Sequence, residues 1–251
     1  MDISSIRSYL SLNTKEKKEH IRFILKEKQE EFFFDTSGDI VYLVHKKFKL
    51  EFVYVPGGEY VKGFTKENQQ AAERISKIVN ADYNEMRPPK VQQVYPFLIT
   101  KTPILNNNIP VYCNYETAEK MASRLSMRLP NETEWEYFVR AGTKSLFPFG
   151  DELLDYNELE KWMTQDFSEL SMEKANALGG YGVFTGEWTS DYFKTNYSDE
   201  AKILTSRTIR GGGAYFWPWQ DQEWVWCMSA MRMPSNDLID NQCAFRFVYE
   251  I

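Results

Sequence analysis

The stretch RLPNETEWEYFVRAG, Arg128 to Gly142, is the most regular segment of a 251-residue chain and decides how the rest is read. Pro130 stops whatever precedes it. Asn131 can accept the amide of the third helical residue while Glu134 reaches back to the Asn131 amide, a reciprocal pattern that starts a helix. Trp135, Phe138 and Val139 then fall at i, i+3 and i+4 on one apolar stripe. Glu132, Glu136 and Arg140 go to other faces, and Gly142 can end the helix left-handed. Just upstream, NYETAEKMASRLSM predicts a second short helix, capped by Asn114, with Ala118, Met121, Ala122 and Leu125 at helical spacing.

Toward the N-terminus, residues 14 to 31 form a charged helix whose Ile21, Ile24 and Leu25 make a narrow apolar stripe, the pattern of an outer layer. The alternating DIVYLVHKKFKLEFVYVPGGEYV reads as two strands and a Gly-Gly turn. A polar insertion, residues 65 to 90, reads as part-helical and is followed by the apolar strand YPFLIT. After Gly142 the periodicity gives way to glycine, proline, asparagine and aromatic residues, punctuated by GGYG and RGGGAYFWPW. Such a segment is either disordered or a loop-built functional surface, and its aromatic density argues for the surface.

Composition narrows the function. With 43% hydrophobic and 16% aromatic residues the chain can bury a sizeable core. A net charge of -6, with no basic cluster outside residues 15 to 28, argues against a nucleic-acid partner. There is no apolar run of membrane-spanning length and no signal-peptide pattern at the start, so a cytoplasmic protein is expected. Cys113, Cys227 and Cys243 are far apart and lack the close pairing of a zinc or redox site, which reads as reduced and buried. Only His20 and His45 occur, which removes most imidazole-dependent chemistry; both are expected to be structural.

FVYVPGGEYVKGF, MRPPKVQQVYPFLITKTPI, the two-helix segment, PFG, NALGGYGVFTGEWTSDYF, IRGGGAYF and MRMPSNDLIDNQCAFRFV occur in an order that resembles the formylglycine-generating enzymes, or sulfatase-modifying factors, over about residues 50 to 250. The resemblance implies an α+β fold, a variant of the C-type lectin architecture with little regular secondary structure. RLPNETEWEYFVRAG looks like that family's helix signature, and cap and core explain its Glu134 and Trp135 as framework.

The resemblance fails where the family's chemistry lies. Its enzymes bind copper(I) through two cysteines five residues apart, shortly after the RGG motif, because soft thiolates hold that ion. Counting forward from Arg210 puts the first cysteine's place at Phe216; counting back from Arg232 puts the two at Trp219 and Trp224. Cys227 is the one thiol in that stretch and the weak catalytic candidate; Cys243 falls where the family has an apolar core residue. A calcium site common in the family is also altered: GVFTGEWTSD keeps Glu187, a weak calcium candidate, but lacks the asparagine and is two residues short of the family interval from Asn176. The iron-dependent branch needs a histidine-bearing N-terminal domain for which this chain has no room.

No cofactor is therefore expected. The reading favoured by the residues is a binding module for a protein or peptide partner, with a surface of Tyr215, Trp217, Trp219, Trp224 and Trp226 rimmed by Asp221 and Glu223. The alternative is an oxidase or other enzyme using the same cleft, with Cys227, Asp221, Glu223 and Arg232 as its candidates; Arg232 and Arg246 also suit backbone anchoring. Residues 1–49 are expected to pack on a domain of residues 50–251, and the charged helix can dock on a partner.

Overall fold

A computed structural model describes residues 3–75, 83–155, 157–158, 167, 175–182, 186–211, 225, 227–236 and 241–251. Two helices open the chain: α1 (Ile6–Leu10) and α2 (Thr14–Leu25). Each starts with a reciprocal cap, from Ser5 and Asn13 respectively. A 3-10 turn over Lys26–Glu31 leads into β1 (Phe32–Ser37), β2 (Ile40–His45), β3 (Glu51–Val55) and β4 (Gly58–Lys62). Helix α3 (Lys66–Ile75) precedes β5 (Lys90–Val94) and β6 (Phe97–Thr100). Short strands β7 (Leu105–Asn106) and β8 (Ile109–Pro110) lead to α4 (Tyr115–Arg124) and α5 (Glu132–Arg140). The last elements are β9 (Glu187–Lys194), β10 (Ile203–Arg210), β11 (Arg232–Pro234) and β12 (Val248–Glu250).

The main sheet runs β1-β2-β3-β6-β12, so the C-terminal strand closes onto a sheet begun near the N-terminus. A second sheet, β11-β10-β9, and the ribbon β4-β5 lie on other sides of α5, which contacts β4, β5, β9 and β10. This mixture of helices and strands in separate antiparallel sheets is the expected α+β arrangement. Phe52, Val53, Leu98, Ile99, Phe138 and Val248 form part of one continuous buried core.

The two central helices fall where the spacing places them, and both asparagine caps are made: Asn114 Oδ1 accepts from Thr117 N at 3.0 Å and Asn131 Oδ1 from Glu134 N at 2.8 Å. Ile21 and Leu25 of α2 are buried beneath an exposed outer face, as an outer-layer helix requires. Three details differ from expectation. Phe32–Ser37 is an additional strand, paired with β2 in unbroken register and closed by a two-residue turn with Gly38 at φ 57°. The 39–61 segment makes three strands, and the Gly-Gly turn carries the chain from the main sheet into the ribbon. Helix α5 ends on Ala141 at φ 45° as well as Gly142 at φ 85°, because the Ala141 amide still reaches Tyr137 O.

Candidate functional site

Helix α5 is buried nearly all round, not on one stripe. Glu132, Glu136 and Arg140 are as inaccessible as Trp135 and Phe138, at 4%, 0% and 4% exposure. Burying a charge is tolerable only with an opposite charge and hydrogen bonds around it, and each of these has both. Glu136 accepts from Arg140 Nε and Arg210 Nη2 at 2.8 Å each and from the Gly63 amide at 2.8 Å. Glu132 accepts from Arg210 Nη1 and the Tyr197 hydroxyl at 2.9 Å each and from Arg232 Nε at 2.5 Å, with Lys62 Nζ at 3.3 Å. The Arg232 guanidinium also donates to Glu85 O and Lys194 O.

The electrostatic consequence is opposite for the two signs of charge. Desolvation opposes ionisation of Glu132, but Lys62, Arg232 and Arg210 together outweigh it and hold the carboxyl well below the usual range. Glu136 is held low in the same way by Arg140 and Arg210 against its own desolvation. Two carboxylates face four cations, and Lys62 is the cation that yields: burial lowers its pKa despite the nearby Glu132.

Arg210 and Arg232 are also direct neighbours in the β10–β11 register. Arg210 and Arg232, which flank residues 211–231, are therefore held side by side against α5. The returning limb is part of the core: Cys227, Met228 and Ala230 are buried, and the Ser229 amide donates to Leu146 O at 2.9 Å.

Two more motifs converge on α5. The Trp135 indole N–H donates to Glu187 Oε2 at 3.0 Å, and Arg246 Nε lies 3.0 and 2.9 Å from the two Glu187 carboxylate oxygens. Arg246 reaches on to Thr100 O and Lys101 O at 3.1 and 3.0 Å, and to Tyr181 O, which is backbone anchoring of the kind its position suggests. Desolvation lifts the Glu187 carboxyl above its ordinary value in spite of that partner. On the other side, Asn176 Nδ2 donates to Phe138 O at 2.8 Å while its Oδ1 accepts from Leu178 and Gly180 amides. A Cβ on Gly180 would sit 2.1 Å from the Phe138 ring, so the GGYG turn needs glycine there for close approach.

The sequence-predicted site residues divide. Tyr215, Trp217, Trp219, Asp221, Glu223, Trp224 and Trp226 lie outside the described residues. Cys227 is 3% exposed and burial pushes its thiol up to about 12, away from the thiolate that nucleophilic or copper chemistry needs. Cys243 is fully buried, while Cys113 is half-buried, not buried as expected; neither is in a disulfide. Both oxygens of Glu187, the calcium candidate, are engaged by Arg246 and Trp135 donors. Among the described residues no group of three or more His, Cys, Asp or Glu side chains could hold a metal. The donors that copper(I) requires are lacking in the sequence there: Phe216, Trp219 and Trp224 occupy the counted positions, and burial raises the pKa of the one thiol in that stretch, Cys227. His45 packs in the core and His20 meets the Tyr54 hydroxyl at 3.0 Å. Sequence reasoning missed Glu132, Glu136, Arg210 and Lys62 as one network, because i, i+4 carboxylates in a capped helix read equally well as a solvated face.

The family described as sulfatase-modifying factor enzyme 1-like domain matches residues 105–251, more than half of the chain. No curated protein matches. The solved structure of PvdO from Pseudomonas aeruginosa is similar, with a TM-score of 0.56 at 19% sequence identity over 81% of this chain and 95% of that one. At that identity the likeness concerns the fold. No described helix is long and apolar enough to cross a membrane.

Proposed function

The chain belongs to the sulfatase-modifying-factor family, and from its departures from that family's chemistry we propose that it is a catalytically degenerate member working as a binding module for a ligand or protein. The observation that carries this is the mount of residues 211–231. Arg210 and Arg232, adjacent in register, are clamped onto Glu132 and Glu136 in a charge network without solvent access. Such a mount fixes the two residues that flank the segment without supplying reactive groups of its own. The loop carries Tyr215, Trp217, Trp219, Trp224 and Trp226 with Asp221 and Glu223, residues suited to a rigid aromatic contact with a polar edge. The partner class is a protein or peptide.

The second reading, an oxidase in the same cleft, would rest on Cys227. Against it stand the burial of that thiol, its raised pKa and the lack of a second cysteine five residues away. Arg232, the other candidate of that reading, spends its donors on Glu132 and two backbone carbonyls. Copper(I) titration separates the two. The binding-module reading expects no tight stoichiometric site and no conversion of a cysteine peptide to its aldehyde in air. Stoichiometric copper binding that disappears in Cys227→Ser would establish the oxidase reading instead.

A further inference from the structure

A cleft of about 800 Å³ lies between α1, the β4–β5 ribbon, the start of α3 and the C-terminal end of α5. Its walls include Ile6, Tyr60, Val61, Pro89 and Tyr137, with the Tyr60 and Tyr137 rings 5.0 Å apart and tilted at 44°. This volume suits a small organic ligand, and the apolar floor suits a ring or an alkyl chain.

The charges on its rim are unbalanced. Arg7, Lys66 and Lys144 are exposed there and make no ion pair among the described residues. Arg140 also lines the cleft but is spent on Glu136, Ser145 O and Gly63 O. Two carboxylates, Glu59 and Glu67, share the rim with these three cations. Glu67 is turned onto the start of its own helix: bonds to its own backbone and to Thr65 hold its carboxyl low, with Lys144 and Lys66 adding to the effect. Lys66, at the start of α3, and Lys144, just beyond α5, both line the cleft.

We propose that this cleft binds a small organic anion, its apolar body on the Tyr60–Tyr137 floor and its anionic group at Lys66 and Lys144. The cleft lining includes none of the aromatic residues of the proposed function. Ile6, Arg7, Tyr60, Val61 and Lys66 all precede residue 105, so most of it is built from chain outside the matched family domain.

Titration with 8-anilinonaphthalene-1-sulfonate, followed by fluorescence, tests this. Wild-type protein shows a saturable component of one equivalent that weakens with salt. The Lys66→Gln/Lys144→Gln double variant weakens it by about tenfold, as loss of two near-surface charge contacts should. N-phenyl-1-naphthylamine, with the same rings and no sulfonate, binds the wild type more weakly and does not respond to the double variant. Val61→Glu, at a partly exposed strand position, abolishes the sulfonate component by putting a carboxylate in the wall; the melting temperature of each variant checks the fold. A sulfonate isotherm unchanged in both variants, or an uncharged probe that binds as tightly as the sulfonate, overturns the proposal.

Discussion

Glu136→Gln isolates what the buried network contributes. Glutamine keeps the shape of the side chain and can still accept the Gly63 amide, which now lies 2.8 Å from Glu136 Oε1. What it removes is the charge between Arg140 and Arg210, each 2.8 Å away, in a site with no solvent access to replace it. Breaking a buried ion pair on one side costs about 3–5 kcal/mol, because the stranded cation pays the desolvation. At about 2–4 °C per kcal/mol for a chain of this size, the melting temperature falls by about 6–20 °C. Differential scanning calorimetry of wild type, Glu136→Gln, Arg140→Met and the double variant measures the loss and, through the cycle, the coupling between the pair. A fall below about 1 kcal/mol, or strict additivity, would show that the network does not hold the fold as described.

The remaining predictions concern the same framework. Lys62→Met costs less than about 1 kcal/mol whereas Arg210→Met costs more than about 3, because Lys62 is the surplus cation and Arg210 bridges both carboxylates; urea unfolding ranks the two. The depressed pKa values of Glu132 and Glu136 stabilise the fold above the unfolded carboxyl value and lose that contribution as pH falls toward their folded values. Stability should therefore drop below about pH 4, with a shallower slope in Glu136→Gln, which equilibrium unfolding at several pH values reports. Gly180→Ala should destabilise by several kcal/mol, since a Cβ 2.1 Å from the Phe138 ring forces the turn off α5; an unchanged melting temperature would contradict the close packing.

What was legible in the sequence is local. The caps of α4 and α5 depend on side chains three residues from their targets, so Asn114, Asn131 and Glu134 announce them. The extra strand β1 was readable too, from three phenylalanines followed by a Gly38–Asp39 turn, but a charged helix running into it masked the change of period. The burial of Glu132 and Glu136 was not legible, because Arg210 and Arg232, which neutralise them, lie 74 to 100 residues away and nothing in the helix itself marks which polar face turns inward. The family order of motifs becomes physically intelligible through α5: the NALGG turn packs on Phe138, Arg246 reaches Trp135 through Glu187, and the residues flanking the RGG segment meet the two glutamates. The burial of Cys227 was legible as well, since a cysteine without a close partner in the chain reads as a small buried hydrophobe, and it is 3% exposed.

The central claim is that the segment between Arg210 and Arg232 is a recognition surface on a rigid mount. The stability of Trp219→Ala and Trp224→Ala, measured by denaturant unfolding, tests it most directly. Residues that face a ligand lose little stability on truncation, so both variants should unfold within about 1 kcal/mol of wild type while losing the contact area a partner needs. A loss of about 3–5 kcal/mol at both positions would place these indoles in the core and leave the binding reading without its surface.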